Sequence, residues 1–254
     1  MKIALVQSPL FWEDPKANIR YFSEKINEIE AADLIVLPEM FATGFTMQPE
    51  KSAESMDGET VKAMQSWAAQ RNAAITGSLI IKENGNFYNR LLFVFPSGEI
   101  KTYDKRHLFS LAGEDKTFAG GNEKLIVGYQ GWKICLLICY DLRFPAFSRN
   151  MEDYDLLVYV ANWPKIRINA WDILLKARAV ENLCYVVGVN RIGLDENGNE
   201  YNGHSQIVDY LGNFVLEPQE NEAVFVSKID KDEMLETRKK LGFLNDIDAF
   251  TFLS

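Results

Sequence analysis

The chain has 254 residues, of which 47% are hydrophobic and 25% charged, and its formal net charge is −9. These proportions are those of an ordinary globular protein, and the length allows one large domain with a substantial core. A net negative charge repels phosphate backbones, and no Lys/Arg-rich block offsets it locally, so nucleic acid is not an expected partner.

The N-terminal stretch MKIALVQSPL has four consecutive apolar residues before Gln7. That run is too short for the core of a signal peptide or for a membrane span. The 3 cysteines, Cys135, Cys139 and Cys184, lack disulfide-framework spacing, which suits a reducing compartment. We therefore expect a cytoplasmic protein without a membrane partner.

Strand-like and helix-like segments alternate along the first half of the chain. Apolar runs bounded by turn residues predict five strands, in chain order KIALVQS, DLIVLPE, AAITGSLII, NFYNRLLFVF and EIKTYDK. Apolar residues at helical spacing predict two helices, DPKANIRYFSEKINEIEAA after the first strand and DGETVKAMQSWAAQRNA after the second. In the first helix, Asp14 is a predicted cap, followed by a proline at the first helical position.

The second half repeats this order of elements, though not the residues. Its predicted strands are EKLIVGYQGWKICLLICYD, DLLVYVAN, CYVVGVNRI, SQIVDY and AVFVSKI. A short helix near FPAFSRN and a longer one in INAWDILLKARAVENL are predicted between them. In each half the helices cover one face of a sheet, so the uncovered faces must pack together. We expect an α/β fold, a four-layer α-β-β-α sandwich of two mixed sheets with an internal pseudo-repeat, as one domain over residues 1–254.

Cys139 ends the apolar run KICLLICYD, and the carboxyl ends of strands are where reactive groups collect in α/β sheets. Tyr140, Asp141 and Arg143 follow at once, so a sharp strand exit can expose the thiol and point the next backbone N–H at a developing oxyanion. Cys135, four residues earlier, is expected to fill the core.

A thiol needs a base or a positive neighbour to react near neutral pH. His107 in YDKRHLF is one candidate base, and His204 in a Gly/Asn-rich loop is better explained as a surface residue. Glu39 is another candidate, because DLIVLPE ends in a glutamate at the position that Cys139 occupies in the other half.

Three segments resemble the Glu-Lys-Cys triad of the nitrilase superfamily of carbon–nitrogen hydrolases: LPEMFATGF with Glu39, YDKRHLF with Lys105 and CYDLRFP with Cys139. ANWP, LLKARAVEN and GHSQIVDYLG resemble later landmarks of that family, so the similarity covers nearly the whole chain. The family fold is an α-β-β-α sandwich, in agreement with the layers inferred above.

The resemblance implies a division of roles among these residues. Cys139 attacks an amide carbonyl, Glu39 takes the thiol proton and later gives it to the leaving ammonia, and Lys105 stabilises the oxyanion. The N–H of Tyr140 is a natural second oxyanion donor. Glu114 resembles a second family glutamate that orients Lys105 and the substrate, and His107 becomes a structural residue. Family members pair through the face that bears the second-half helices, which implies a homodimer.

PEMFATGF, ANWP and FLNDIDAF look most like the ω-amidase branch, which acts on 2-oxo-dicarboxylate monoamides such as 2-oxoglutaramate and 2-oxosuccinamate. Such substrates carry a carboxylate, so the pocket needs a cation. Arg143, Lys165 and Arg167 all follow predicted strand ends and are the candidates. The aromatic residues expected to wall the substrate are Phe41, Phe45 and Trp163.

The sequence is also compatible with other functions. An N-carbamoyl-amide hydrolase, a deaminated-peptide amidase or a nitrilase would use the same triad, and a catalytically silent member would act as a binding protein. No C-x-x-C pair, Cys/His cluster, phosphate loop or dinucleotide signature occurs in the sequence, so we expect no metal and no cofactor. The expected partner is a small amide substrate.

Overall fold

The computed structural model describes residues 1–252, so the last two residues of the predicted 1–254 domain lie outside the described part. In chain order the strands are β1 (Lys2–Gln7), β2 (Leu34–Val36), β3 (Ala74–Glu83), β4 (Asn86–Val94), β5 (Ile100–Asp104), β6 (Leu125–Tyr129), β7 (Trp132–Ile138), β8 (Leu156–Ala161), β9 (Tyr185–Asn190), β10 (Ile192–Leu194), β11 (Glu200–Asn202), β12 (Ser205–Val208), β13 (Phe214–Gln219) and β14 (Ala223–Lys228). The helices are α1 (Pro15–Asn27), α2 (Glu59–Arg71), α3 (Glu114–Thr117), α4 (Pro145–Ser148), α5 (Ile168–Asn182) and α6 (Lys231–Leu241).

Helix α1 shows how local sequence sets an element boundary. Pro15 is its first residue, and the side chain of Asp14 accepts a hydrogen bond from the Ala17 N–H at 3.0 Å. This satisfies one of the backbone donors that every helix N-terminus leaves free. Phe22 and Ile26, one turn apart, are fully buried, so the predicted cap and apolar face of this helix are confirmed.

The strands form two six-stranded mixed sheets. The first has the order β14-β1-β2-β3-β4-β5 and the second the order β13-β12-β9-β8-β7-β6. In the first sheet β1, β2 and β3 are parallel, and in the second β7, β8 and β9 are parallel. The carboxyl ends of β2 in one sheet and of β7 and β8 in the other carry the segments that form the site described below.

Strand β1 shows how the sheets are layered. Ile3 and Leu5 lie in a core shared with the second sheet, whereas Ala4 and Val6 lie in the core beneath α1 and α2. On the outer face of the second sheet, α5 packs so closely that a Cβ at Gly188 of β9 would lie 2.5 Å from Leu175. These contacts define the predicted α-β-β-α sandwich.

The two halves are not separate units, contrary to the simplest interpretation of the pseudo-repeat. Strand β14, from the end of the second half, pairs antiparallel with β1 and completes the first sheet. Strand β14 was predicted as a strand, but its pairing with β1 was not, and strand β13 and helix α6 were not predicted at all. Helix α6 buries only Met234 among its residues, so its apolar periodicity is weak. Strands β10 and β11 form a small separate hairpin beside the site.

The helices of residues 1–252 include none with the length and apolar character needed to cross a bilayer.

Candidate active site

Glu39, Lys105 and Cys139 converge at one edge of the sandwich. Glu39 follows β2, Lys105 is the first residue after β5, and Cys139 is the first residue after β7. The glutamate and the lysine are fully buried, and the cysteine is partly exposed. The structure therefore brings together three side chains that are far apart in sequence and come from both sheets.

Lys105 lies between two carboxylates. Its Nζ donates to Glu39 Oε1 at 2.9 Å and to Glu114 Oε2 at 2.9 Å. Burial alone disfavours the ammonium, but the carboxylates of Glu114 and Glu39 outweigh it and raise the pKa of Lys105. Burial raises the pKa of Glu114, and the lysine opposes that shift. Lys105 is thus a fixed cation at the base of the site.

Two asparagines hold Glu39. Asn89 Nδ2 donates to Glu39 Oε1 at 2.8 Å, and the Asn162 backbone N–H donates to Glu39 Oε2 at 2.8 Å. Asn162 Nδ2 also donates to the Glu39 backbone carbonyl at 2.6 Å. Neither asparagine was among the site residues expected from the sequence. Asn89 is a polar residue inside an apolar strand and Asn162 directly follows β8, and these were the available signals.

Cys139 sits at a sharp elbow with φ of 44°, in the left-handed region that non-glycine residues rarely adopt. It opens a 3-10 turn over Cys139–Arg143. Burial and then the Glu39 carboxylate raise the pKa of the Cys139 thiol well above its ordinary value, and Lys105 lowers it. The thiol is therefore protonated at neutral pH, and a base must take its proton as it attacks.

A cavity of about 230 Å³ opens onto Cys139. Its lining includes the predicted residues Phe45, Lys105, Tyr140, Arg143 and Trp163. Its other lining residues are Phe109, Leu111, Ala112, Asn162, Pro164, Arg167, Asn199 and Tyr201. Of these, Arg167 alone was a site candidate from the sequence. Glu39 and Glu114, whose carboxylates accept hydrogen bonds from Lys105, are not part of this lining.

The prediction that Phe41 walls the substrate is wrong. Phe41 is fully buried in the core beneath α1 and α2, where its ring meets Phe22 edge-on at 5.1 Å between centroids. Phe45, four residues on, lines the cavity instead, and the Lys105 ammonium lies 5.3 Å from the centre of its ring. The chain turns between the two residues, so the segment presents one aromatic ring to the core and one to the cavity.

The three candidate cations separate into two groups. Arg143 lies over the ring of Trp163 at 4.9 Å and Arg167 over the ring of Phe109 at 5.2 Å, and both line the cavity. Neither has a carboxylate partner within the described chain. Lys165 points elsewhere and pairs with Glu200 at 2.6 Å. The cavity therefore offers two guanidinium groups to an anionic ligand.

Neither histidine is placed to act as the base. His107 Nδ1 lies 2.7 Å from Asp141 Oδ1, and its ring stacks on Phe144 with 3.7 Å between centroids. His204 contacts the carboxylate of Asp172 at 2.9 Å. Neither ring belongs to the cavity wall as described, which leaves Glu39 as the carboxylate beside the thiol.

The sandwich and its buried Glu-Lys-Cys cluster define the class of protein. The sequence pattern of the carbon-nitrogen hydrolase family matches residues 2–239. The chain belongs to this family, and it is a hydrolase that acts on the carbon–nitrogen bonds of linear amides.

Individual relatives are similar over nearly the whole chain. Omega-amidase YafV of Escherichia coli K12 is 43% identical over 98% of both chains, and its counterpart in Yersinia enterocolitica is 42% identical over 100% of this chain and 99% of the relative. A 2-oxoglutaramate amidase of Bacillus subtilis is 32% identical over 96% of both. The crystal structure of XC1258 from Xanthomonas campestris, a CN-hydrolase superfamily protein with an arsenic adduct in the active site, superposes with a TM-score of 0.97 at 41% identity, covering 99% of this chain and 98% of that one.

Proposed function

We propose that this protein is an ω-amidase that releases ammonia from the terminal amide of 2-oxo-dicarboxylate monoamides, such as 2-oxoglutaramate and 2-oxosuccinamate. The observation that carries the proposal is the pair of guanidinium groups, Arg143 and Arg167, in the cavity wall above Cys139 and Lys105. A 2-oxo acid has a carboxylate and a neighbouring carbonyl, and both accept hydrogen bonds from arginine. The relatives named omega-amidase and 2-oxoglutaramate amidase support the same substrate class.

In the first half of the reaction, the Cys139 sulfur forms a bond to the amide carbon as its proton passes to Glu39. The carbonyl electron pair moves onto oxygen, where the Lys105 ammonium and the Tyr140 N–H stabilise it. The carbonyl then re-forms and the C–N bond breaks. The leaving nitrogen takes the proton from Glu39 and departs as ammonia, which leaves a thioester on Cys139.

In the second half, Glu39 takes a proton from a water molecule that attacks the thioester carbon. The second tetrahedral species has its oxyanion at the same donors, because the acyl group is still attached to Cys139. When the C–S bond breaks, the proton on Glu39 returns to sulfur. The product is the free carboxylic acid, and Glu39 and Cys139 regain their starting states.

The supporting residues have distinct proposed roles. Glu114 orients Lys105, because it accepts two hydrogen bonds from Nζ at 3.0 and 2.9 Å. Phe45 and Trp163 wall the methylene groups of the substrate, since both line the cavity.

Replacing Arg143 or Arg167 with methionine is expected to raise KM for 2-oxoglutaramate by about 10-fold to 100-fold, with a smaller change in kcat. A hydrogen bond to a charged group contributes about 1.5–3 kcal/mol, which corresponds to that range. Steady-state ammonia release measures both constants. Lys165→Met is the matched control, because Lys165 belongs to the same 3-10 turn as Arg167 but pairs with Glu200 outside the cavity. An unchanged KM in both arginine variants would contradict carboxylate binding at this wall.

The substrate class is tested by comparing ammonia release from 2-oxoglutaramate, N-carbamoyl amino acids, a deaminated peptide amide and simple nitriles. We expect the largest kcat/KM for 2-oxoglutaramate, because it alone presents a 2-oxo carboxylate to the two arginines. A wide preference for a nitrile or a carbamoyl compound would overturn the ω-amidase assignment and leave the family membership in place.

We also propose that the chain is a single catalytic domain and that it works as a homodimer in the cytoplasm. The pairing of β14 with β1 ties the two halves into one unit. Ile173 and Val180 on α5 are 57% and 49% exposed and lie two turns apart on one helix face, which supports pairing through the second-half helices. All 3 cysteines are free thiols, which suits a reducing compartment. Sedimentation velocity measures the assembly, and a monomer at micromolar concentration would contradict the dimer.

A further inference from the structure

Asp141 is a buried carboxylate that no step of the reaction uses. Its side chain is fully buried, and its two oxygens accept four hydrogen bonds. Oδ2 accepts from the Tyr103 hydroxyl at 2.7 Å and from the Ile138 backbone N–H at 3.0 Å. Oδ1 accepts from His107, through Nδ1 at 2.7 Å and the backbone N–H at 3.1 Å.

These donors belong to two different segments of the site. Tyr103 and His107 lie two residues before and two residues after Lys105, on β5 and the loop that follows it. Ile138 is the last residue of β7 and directly precedes Cys139. One carboxylate therefore connects the backbone that carries the lysine to the backbone that carries the nucleophile.

The elbow at Cys139 needs such a restraint. A non-glycine residue with φ of 44° is strained, and such strain persists only where surrounding contacts hold it, at a cost of about 1–3 kcal/mol. Asp141 supplies two of these contacts, because its side chain accepts from Ile138 and its backbone carbonyl accepts from the Phe144 N–H at 3.0 Å. The Phe144 ring in turn stacks on His107, with an interplanar angle of 6°.

No lysine or arginine within residues 1–252 forms a salt bridge with Asp141, and the imidazole Nδ1 of His107 lies 2.7 Å from its Oδ1. A buried carboxylate of this kind is tolerated when several donors satisfy it. Burial and then Asp141 raise the pKa of Tyr103 well above its ordinary value, so the phenol stays a donor. A group that is costly to bury and fully satisfied is well suited to fixing geometry.

We infer that Asp141, acting through Tyr103, His107 and Ile138, is a positioning residue that sets the separation between the Lys105 ammonium and the Cys139 thiol. The inference rests on the roles proposed above for Lys105 and Cys139. It predicts that loosening this connection slows chemistry without weakening substrate binding, because neither Asp141 nor Tyr103 lines the cavity as described.

The test compares Asp141→Asn, Tyr103→Phe and Asp155→Asn at a temperature where circular dichroism shows each variant folded. Asparagine has one side-chain oxygen where aspartate has two, so either Ile138 or His107 loses its hydrogen-bond acceptor. Tyr103→Phe removes one donor and leaves the charge of Asp141 unchanged. We expect kcat to fall about 10-fold to 100-fold in Asp141→Asn, the range for a misplacement of about 1 Å, and several-fold in Tyr103→Phe, with KM within about 3-fold of wild type in both.

Asp155 is the matched control. It is 3% exposed and accepts a hydrogen bond from the Lys133 N–H at 2.9 Å, at the end of β7 opposite to Cys139. Asp155→Asn should lower the unfolding temperature and leave kcat unchanged. The inference is overturned if both Asp141→Asn and Tyr103→Phe keep the wild-type kcat, or if Asp155→Asn loses as much kcat as they do. If Asp141→Asn does not fold, Tyr103→Phe alone decides.

The comparison uses whichever linear amide the wild type hydrolyses fastest. If the wild type is inactive on 2-oxoglutaramate but hydrolyses another amide, the proposed substrate is overturned. The same variants, assayed with that other amide, still test whether Asp141 positions Lys105 and Cys139. A loss in KM rather than in kcat would place Asp141 in substrate binding and overturn the positioning role.

Discussion

Replacing Cys139 with alanine is expected to lower ammonia release by at least about 10⁴-fold, in the range found when a nucleophile is removed from other hydrolases. Without the thiol no thioester forms, and the remaining donors can only polarise the amide for attack by water. The partly exposed side chain is small, so the fold should survive. Ammonia release, together with thermal unfolding followed by circular dichroism, measures both effects.

Cys135→Ala is the matched control, because Cys135 lies on β7, the strand that directly precedes Cys139, and is fully buried in the core between the sheets. It should lose some stability and keep its activity. Mass measurement after brief exposure to substrate should show an acyl adduct on the wild type and on Cys135→Ala, and none on Cys139→Ala. An unchanged rate in Cys139→Ala would refute the thioester mechanism.

Replacing Glu39 with glutamine is expected to change two rates in opposite directions. Turnover should fall by about 10²–10⁴-fold, because glutamine cannot take the thiol proton or return it to nitrogen. Alkylation of Cys139 by iodoacetamide at neutral pH should become faster. The Glu39 carboxylate raises the pKa of the thiol and Lys105 lowers it, so removing that charge lowers the pKa and increases the thiolate fraction.

The pH dependence of the alkylation rate shows directly in which direction Glu39 shifts the pKa of the Cys139 thiol. Alkylation of the wild type should keep rising above pH 9, because the pKa of the thiol lies well above its ordinary value, and the Glu39→Gln curve should be displaced to lower pH. Glu54→Gln is the control, since Glu54 accepts hydrogen bonds from Thr60 N at 3.0 Å and Val61 N at 3.1 Å, at the start of α2. Slower alkylation in Glu39→Gln would contradict the assignment of Glu39 as the base beside the thiol.

Two of the three central residues, Glu39 and Cys139, were expected from local sequence, whereas Lys105 was expected from the family resemblance. Glu39 and Cys139 each end an apolar run, and apolar runs predict strands whose carboxyl ends meet at one edge of the fold. The residues that hold them were not predictable in this way. Asn89 and Asn162 bond to Glu39, 50 and 123 residues away, and Asp141 connects Ile138, three residues before it, to Tyr103 and His107, 38 and 34 residues away. Nothing adjacent to these residues in sequence indicates the distant partners.

Which of the candidate cations lines the cavity was also not predictable from the sequence, although two of them are only two residues apart. Lys165 and Arg167 belong to one 3-10 turn, Lys165–Arg167, and both follow a strand end, so the sequence made them equivalent. In the structure one pairs with Glu200 of the neighbouring hairpin and the other lies over Phe109 in the cavity. The direction of each side chain depends on which loops of the folded protein surround that turn.

The local order of residues determines most strands, three of the longer helices and the α-β-β-α layering, because apolar periodicity and turn chemistry act over a few positions. The local sequence does not determine which strands pair with each other. AVFVSKI reads as a strand of the second half, yet as β14 it pairs with β1 and closes the first sheet. A strand can pair with any free sheet edge that the chain can reach, so its partner is settled only when both sheets are packed and one edge remains open.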